Sequence, residues 1–177
     1  MMEKMNKDGY IRQLSFVHNM MVASVPLLDF AAMQSEGALK DYFAHHLDEE
    51  RGHIEILADD LKRLGVDGVA LDANAVEVTG AQYYLIAHVH PSALLGYMAA
   101  LERESYAEDV VSEIEGICGT EMKCLRLHAK LDAQHIKDLD EQIEGLPDHL
   151  RGLARDNERY THNKVMAGLQ AISGMEA

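Results

Sequence analysis

Two histidine–carboxylate trios at helical spacing constrain this chain more than any other feature. One is His128, Asp132 and His135, within the helical run Met122 to Ile143; the other is His46, Glu50 and His53, in a second helical run. On a helix of 3.6 residues per turn, positions i, i+4 and i+7 fall within about 60° of one another, so each trio shares one face. Two such faces plus one more carboxylate could enclose a pair of metal ions. A helical-bundle metalloenzyme is therefore the leading reading.

The rest of the chain is consistent with helices. Ile11 to about Gln34 reads as a first helix with Leu14, Val17, Met21, Val25 and Leu28 on one face, kinked or split by Pro26. A second helix runs from about Glu36 to Leu64 and is closed by Gly65, and Val66 to Val78 reads as a connector. A third helical region starts at Thr79, an expected N-cap, and extends to about Ile117 with a break at Pro91. Thr120 is placed to cap a fourth helix reaching Glu144, and Gly145 and Pro147 turn into a last helix that ends before Gly174. Nothing shows sustained two-residue alternation, so the expected fold is an all-α, up-down bundle of five to seven helices in one domain, residues 1–177.

Composition narrows the function. Hydrophobic residues make up 47% and charged residues 26%, which argues for a packed globule and against disorder. A net charge of −14 repels phosphate backbones and anionic lipid, so neither nucleic acid nor membrane is an expected partner. No apolar stretch is expected to approach the roughly 20 residues of a membrane span, and Met1 to Tyr10 is polar and mixed in charge rather than a signal peptide, which points to a cytoplasmic protein. Cys118 and Cys124 do not make a disulfide scaffold and are expected as reduced, partly buried side chains.

The chemistry concentrates on three segments. Glu50 projects near the apolar stripe of Phe43, Leu47, Ile54, Leu57 and Leu61, with His46 and His53 at its edge, whereas Glu49 and His45 point further toward solvent. A carboxylate aimed at a core is costly unless it is paired or ligates a cation. His128, Asp132 and His135 are likewise flanked by Leu125, Leu131 and Leu139, and Glu102 shares a face with apolar and aromatic residues. The candidate metal ligands are thus His46, Glu50, His53, Glu102, His128, Asp132 and His135, with Glu50, Glu102 and Asp132 the candidate catalytic carboxylates. Imidazole and carboxylate together suit iron, manganese or zinc. Tyr84, Tyr97, Tyr106 and Met98 are pocket candidates, and His18, His88, His90, His149 and His162 read as structural or surface residues.

The segment Tyr42 to His53, then Asp60-Leu61 and Leu64-Gly65, His90-Pro91, Leu95-Gly96-Tyr97, Glu102 and the His128–Asp132–His135 motif resemble, in that order, the haem-oxygenase-like di-metal oxidases and oxygenases, also called iron-containing redox enzymes. TenA-type thiaminases and PqqC-type quinone-cofactor synthases are relatives by fold. The resemblance implies a seven-helix haem-oxygenase-like bundle holding two non-haem irons, with manganese an alternative at one site. It also implies dioxygen activation for the oxidation of a small amine or carboxylate-containing substrate. Carried over, His53, Glu102 and His128 would serve one metal, and Asp132 and His135 the other with a carboxylate from the second helix. Some members have that carboxylate seven positions before the helix-two histidine, where this chain has His46; others have it three before, matching Glu50. A first-helix glutamate used by some members has no counterpart between Ile11 and Phe30, where Asp29 is the only acid. Expected partners are the organic substrate and dioxygen, in a monomer or homodimer. The alternative is a metal-free TenA- or PqqC-like enzyme acting on a pyrimidine or quinone-type precursor; a thiaminase-like reaction would want a cysteine nucleophile, and neither cysteine sits beside an obvious base in sequence.

Overall fold

A computed structural model describes residues 5–173, so the part of the polar start that lies in residues 1–4, and Gly174, fall outside the described residues. Within them the fold is all-α, as expected. Nine helical segments occur in the order α1 (Lys7–Met21), α2 (Ser24–Gln34), α3 (Gly37–Glu50), α4 (His53–Arg63), α5 (Ala73–His88), α6 (Ala93–Glu102), α7 (Glu108–Cys118), α8 (Lys123–Glu144) and α9 (Asp148–Ser173). Several are halves of longer arms, so the count exceeds the number of arms in the bundle.

The breaks have local causes. Pro26 cannot donate to the carbonyl of residue 22, and the helix opens there, one turn upstream, separating α1 from α2. The expected second helix is in fact two. Gly52 sits at φ +89°, a left-handed conformation that a side chain rarely adopts, and it turns the chain between α3 and α4. Helix α5 begins earlier than Thr79, because Asp72 caps it by accepting hydrogen bonds from the Asn74 and Ala75 amides at 2.8 and 3.1 Å. Thr79 is buried inside that helix, its hydroxyl donating to the Ala75 carbonyl. A second break, at residues 103–107, ends α6 at Glu102. Nor does Thr120 cap α8: the Cys124 amide donates to the buried Asp60 carboxylate at 2.8 Å, and the Met122 amide to Glu115 at 3.0 Å.

Helix α6 is the centre of the bundle. Residues 91–100 are all buried, and α6 packs chiefly against α9 and α8. Gly96 permits the close crossing with α9, since a Cβ there would lie 1.9 Å from the Ala154 carbonyl oxygen. Around this axis α2 lies on α3 and α1 on α4 and α5. Lys7–Gln34, taken as one segment, is long and apolar enough to cross a membrane by length and composition, contrary to the sequence reading. In the fold 33% of that apolar window is buried, and Leu14, Phe16, Met20, Leu27 and Leu28 of the segment join the core, while Val22 and Met33 stay exposed.

Candidate metal centre

Four helices bring the seven candidate ligands together. Helix α3 carries His46 and Glu50, α4 begins with His53, α6 ends with Glu102, and α8 carries His128, Asp132 and His135. All are buried except His128, which is partly buried. Their ligand atoms form two groups sharing Glu102. One is His46, Glu50, Glu102 and His135; the other is Glu102, His128 and Asp132, and within each group the atoms lie within 4.8 Å of one another.

The contacts are close without being mutually satisfying. His46 Nε2 lies 3.7 Å from Glu102 Oε1, and His135 Nδ1 lies 3.5 Å from Glu102 Oε2, the two rings being 4.8 Å apart. His53 Nδ1 is 3.3 Å from Glu50 Oε1, and its ring meets that of His128 edge-on at 5.1 Å. His128 Nδ1 and Asp132 Oδ1 form a hydrogen bond of 3.1 Å. Asp132 therefore lies with His128, whereas the resemblance paired it with His135.

Glu50 Oε1, His53 Nδ1, Glu102 Oε2, His128 Nε2 and His135 Nδ1 are buried and make no hydrogen bond. Buried polar atoms almost always have a partner, because leaving one unpaired costs its full desolvation. Five such atoms from four helices, converging in one neighbourhood, are what a divalent cation would satisfy. The mixed imidazole and carboxylate donors suit iron, manganese or zinc better than calcium. The residues present thus fit the metals the sequence suggested.

Protonation follows from burial and proximity. Burial pushes the His46 imidazole down to about 4, leaving it neutral and free to donate a lone pair near neutral pH. Burial raises Glu102 to about 7, with Asp132 adding to the rise and His135 opposing it. Burial also acts to lower His128, but Asp132 and Cys124 outweigh it and bring the group to about 11. For Glu50 burial raises and the neighbouring histidines lower, and the histidines prevail.

Glu49 is a residue whose part the helical phase undervalued. It is exposed, as expected, yet its Oε2 lies 3.7 Å from His46 Nδ1 and 3.8 Å from His135 Nε2, closing the outer side of the first group. Its position three residues after His46 was the available signal. Cys124 is a second such residue: both cysteines are free and buried, and Cys124 lies one turn before His128, whose basicity it raises.

A cavity of about 620 Å³ opens against this cluster, which forms one wall through His46, Glu50, Glu102, His128 and Asp132. The opposite walls come from α1, α2 and α9. Tyr97, Met98 and Tyr106 line the cavity, as does Cys124, and Gln13 donates a hydrogen bond to the Tyr106 hydroxyl. Tyr84 does not: it is 64% exposed and packs beside His88. His90 accepts from the Ser92 amide at the start of α6, and His162 pairs with Glu104, so both have structural or surface partners.

Comparison with known proteins bears on the family and the fold. A family model described as iron-containing redox enzyme matches residues 9–159. A domain of unknown function with a haem-oxygenase-like fold from Shewanella denitrificans superposes with a TM-score of 0.84 at 17% identity, over 97% of this chain and 80% of that one. A TenA homologue from Pyrococcus furiosus superposes with a TM-score of 0.73 at 10% identity, over 96% and 85%. At such identities these likenesses speak to the fold. No curated protein matches the chain.

Proposed function

We propose, for a chain that belongs to the iron-containing redox enzyme family, that it is a non-haem di-metal oxidase or oxygenase acting on a small amine or carboxylate-containing substrate. The observation that carries this reading is the pair of ligand groups overlapping at Glu102, with five buried donor atoms that make no hydrogen bond. Two irons, or iron with manganese, would be held by His46, Glu50, Glu102 and His135 on one side and by Glu102, His128 and Asp132 on the other, with His53 beside Glu50. When bound, the metals supply the activation of dioxygen.

The chain's own residues supply the surroundings. Glu102, common to both groups, would bind as the carboxylate, giving up its proton and supplying negative charge to both ions. Glu49, whose Oε2 lies 3.7 Å from His46 Nδ1 and 3.8 Å from His135 Nε2, sets the electrostatic surroundings in which those rings are presented. Asp132 holds the His128 ring through Nδ1, leaving Nε2 free to ligate. The apolar walls of the cavity limit the water that reaches the reacting atoms.

The test is elemental analysis after anaerobic reconstitution with Fe(II), where between one and two equivalents are expected. Full metal retention by the His128→Ala, His135→Ala double variant would sink the reading.

A second reading is a metal-free enzyme of the TenA or PqqC kind on a pyrimidine or quinone-type precursor. It is favoured by the buried Cys124 thiol beside His128 on the cavity wall, and by the TenA homologue among the fold neighbours. Turnover of such a precursor by chelator-treated protein, abolished in Cys124→Ser, would select it.

A further inference from the structure

The walls of the cavity away from the metal cluster carry information about what enters it. Helices α1 and α2 contribute Leu14, Phe16, Val17, Met20, Leu27 and Leu28, and α9 contributes Val165, Met166, Leu169 and Ile172. A chamber of about 620 Å³ walled mostly in this way, with Gln13, Ser24 and Gln170 as the polar residues these helices add, takes an aliphatic body, because burying each methylene is favourable.

The charges bordering the chamber are one-sided. Among the described lining residues there is no lysine or arginine, while Glu50, Glu102, Asp132 and Glu104 all border it. Two divalent ions bring four positive charges, and the carboxylates of Glu49, Glu50, Glu102 and Asp132 match them with four negative ones. A substrate carboxylate would find no uncompensated cation, whereas a molecule that approaches as an ammonium is drawn toward an acidic chain of net charge −14. A separate observation marks where its nitrogen would lie. Tyr97 is 3% exposed, lines the chamber, and its hydroxyl has no hydrogen-bond partner. A phenolic hydroxyl buried without a partner beside the chamber can accept from an N–H donor as well as donate.

We propose that the chamber binds an amine with an unbranched aliphatic chain, its nitrogen at the cluster end against the Tyr97 hydroxyl and its chain along α1, α2 and α9. This rests on the di-metal reading for the charge of the cluster, and it names the substrate class of that same site. The chain accounts for the apolar walls, and the amine for the missing cation and the unpaired hydroxyl.

Calorimetric titration of the Zn(II)-loaded protein, which binds without turning over, tests this with n-butylamine, n-hexylamine, n-octylamine, n-decylamine and n-decanoate. Affinity is expected to rise by about threefold to fourfold per added methylene until the chamber is full. Decylamine is expected to bind at least about tenfold more tightly than decanoate, and Tyr97→Phe to lose about tenfold of decylamine affinity while keeping the dependence on chain length. Met20→Trp, with its helical circular dichroism intact, should abolish the binding of the longer chains and leave zinc content unchanged. Affinity independent of chain length, or decanoate binding as tightly as decylamine, overturns the proposal. Zinc binding read in the same samples keeps the two readings apart: a protein that takes no metal but shows the amine series loses the di-metal function alone, and one that takes metal without the series loses the substrate class alone.

Discussion

Glu49 and Glu50 are neighbours with different duties. Glu50 is buried with an unpaired oxygen, whereas Glu49 reaches the histidines from the solvent side. Glu50→Ala should therefore remove metal, seen as lower iron stoichiometry, while Glu49→Ala should keep the stoichiometry and weaken affinity by about tenfold, the lower range for an orienting partner. The reverse order would reassign the ligand. Glu102 ties uptake to pH. Its raised value means that the metal-free protein keeps a proton there which the unfolded chain has already lost, so this contribution to stability is present below the ordinary carboxylate range and fades as pH rises through about 7. Metal entry at pH 6 must expel that proton, and at pH 8 there is none to expel; His128, raised to about 11, releases its proton at both. An indicator dye should record more protons released per zinc at pH 6 than at pH 8, and equal release would refute it. These side chains were legible in the sequence because i, i+4 and i+7 spacing on α8 survives folding unchanged. Cys124 was not singled out, since a thiol one turn from a histidine carries no message until the face it shares is known to border a cavity.

The helices themselves were legible in type and less so in extent. Pro26 and Pro91 mark their breaks through chemistry visible in one residue. The break at Gly52 and the end of α6 at Glu102 depend on how segments pack, which local pattern does not record. The misplaced start of α5 has a similar origin: both Asp72 and Thr79 are competent caps, and the structure uses the earlier. Two substitutions test how these elements hold together. Gly96→Ala would drive a methyl group into the α9 backbone and should cost about 1–3 kcal/mol, measured by urea denaturation; a neutral effect would show that α6 and α9 can separate freely. Asp140 receives Arg103 and Arg155, joining α8 to α6 and α9. Burial raises its carboxyl, but the two guanidinium groups outweigh that and hold it below the ordinary range. Its contribution is present above the ordinary carboxylate value and is lost as pH falls through the depressed one. These side chains are more than a third exposed, so Asp140→Asn should cost about 0.5–1 kcal/mol at neutral pH and nearly nothing in acid.

At the scale of the whole molecule, the centre is a set of buried, imperfectly paired groups contributed by four helices, so metal and fold are linked. Ligand present at about a hundred times its dissociation constant stabilises by about 2.7 kcal/mol. For a chain of this size that corresponds to a rise in Tm of about 5–10 °C, expected on adding Zn(II) to chelator-treated protein and absent from the His128→Ala, His135→Ala variant. The order of motifs along the chain was enough to indicate this centre, because its ligands lie on regular helices. The chamber beside it was not legible, since walls assembled from α1, α2 and α9 join residues more than a hundred positions apart. Those walls have a property of their own. Helices α1, α2 and α9 shape the chamber, yet none of them supplies a candidate ligand; these come from α3, α4, α6 and α8. Selection can thus act on the two halves separately: a lineage can exchange methionines and leucines along one side and acquire a new diet, while the inherited reactive core passes unaltered from ancestor to descendant.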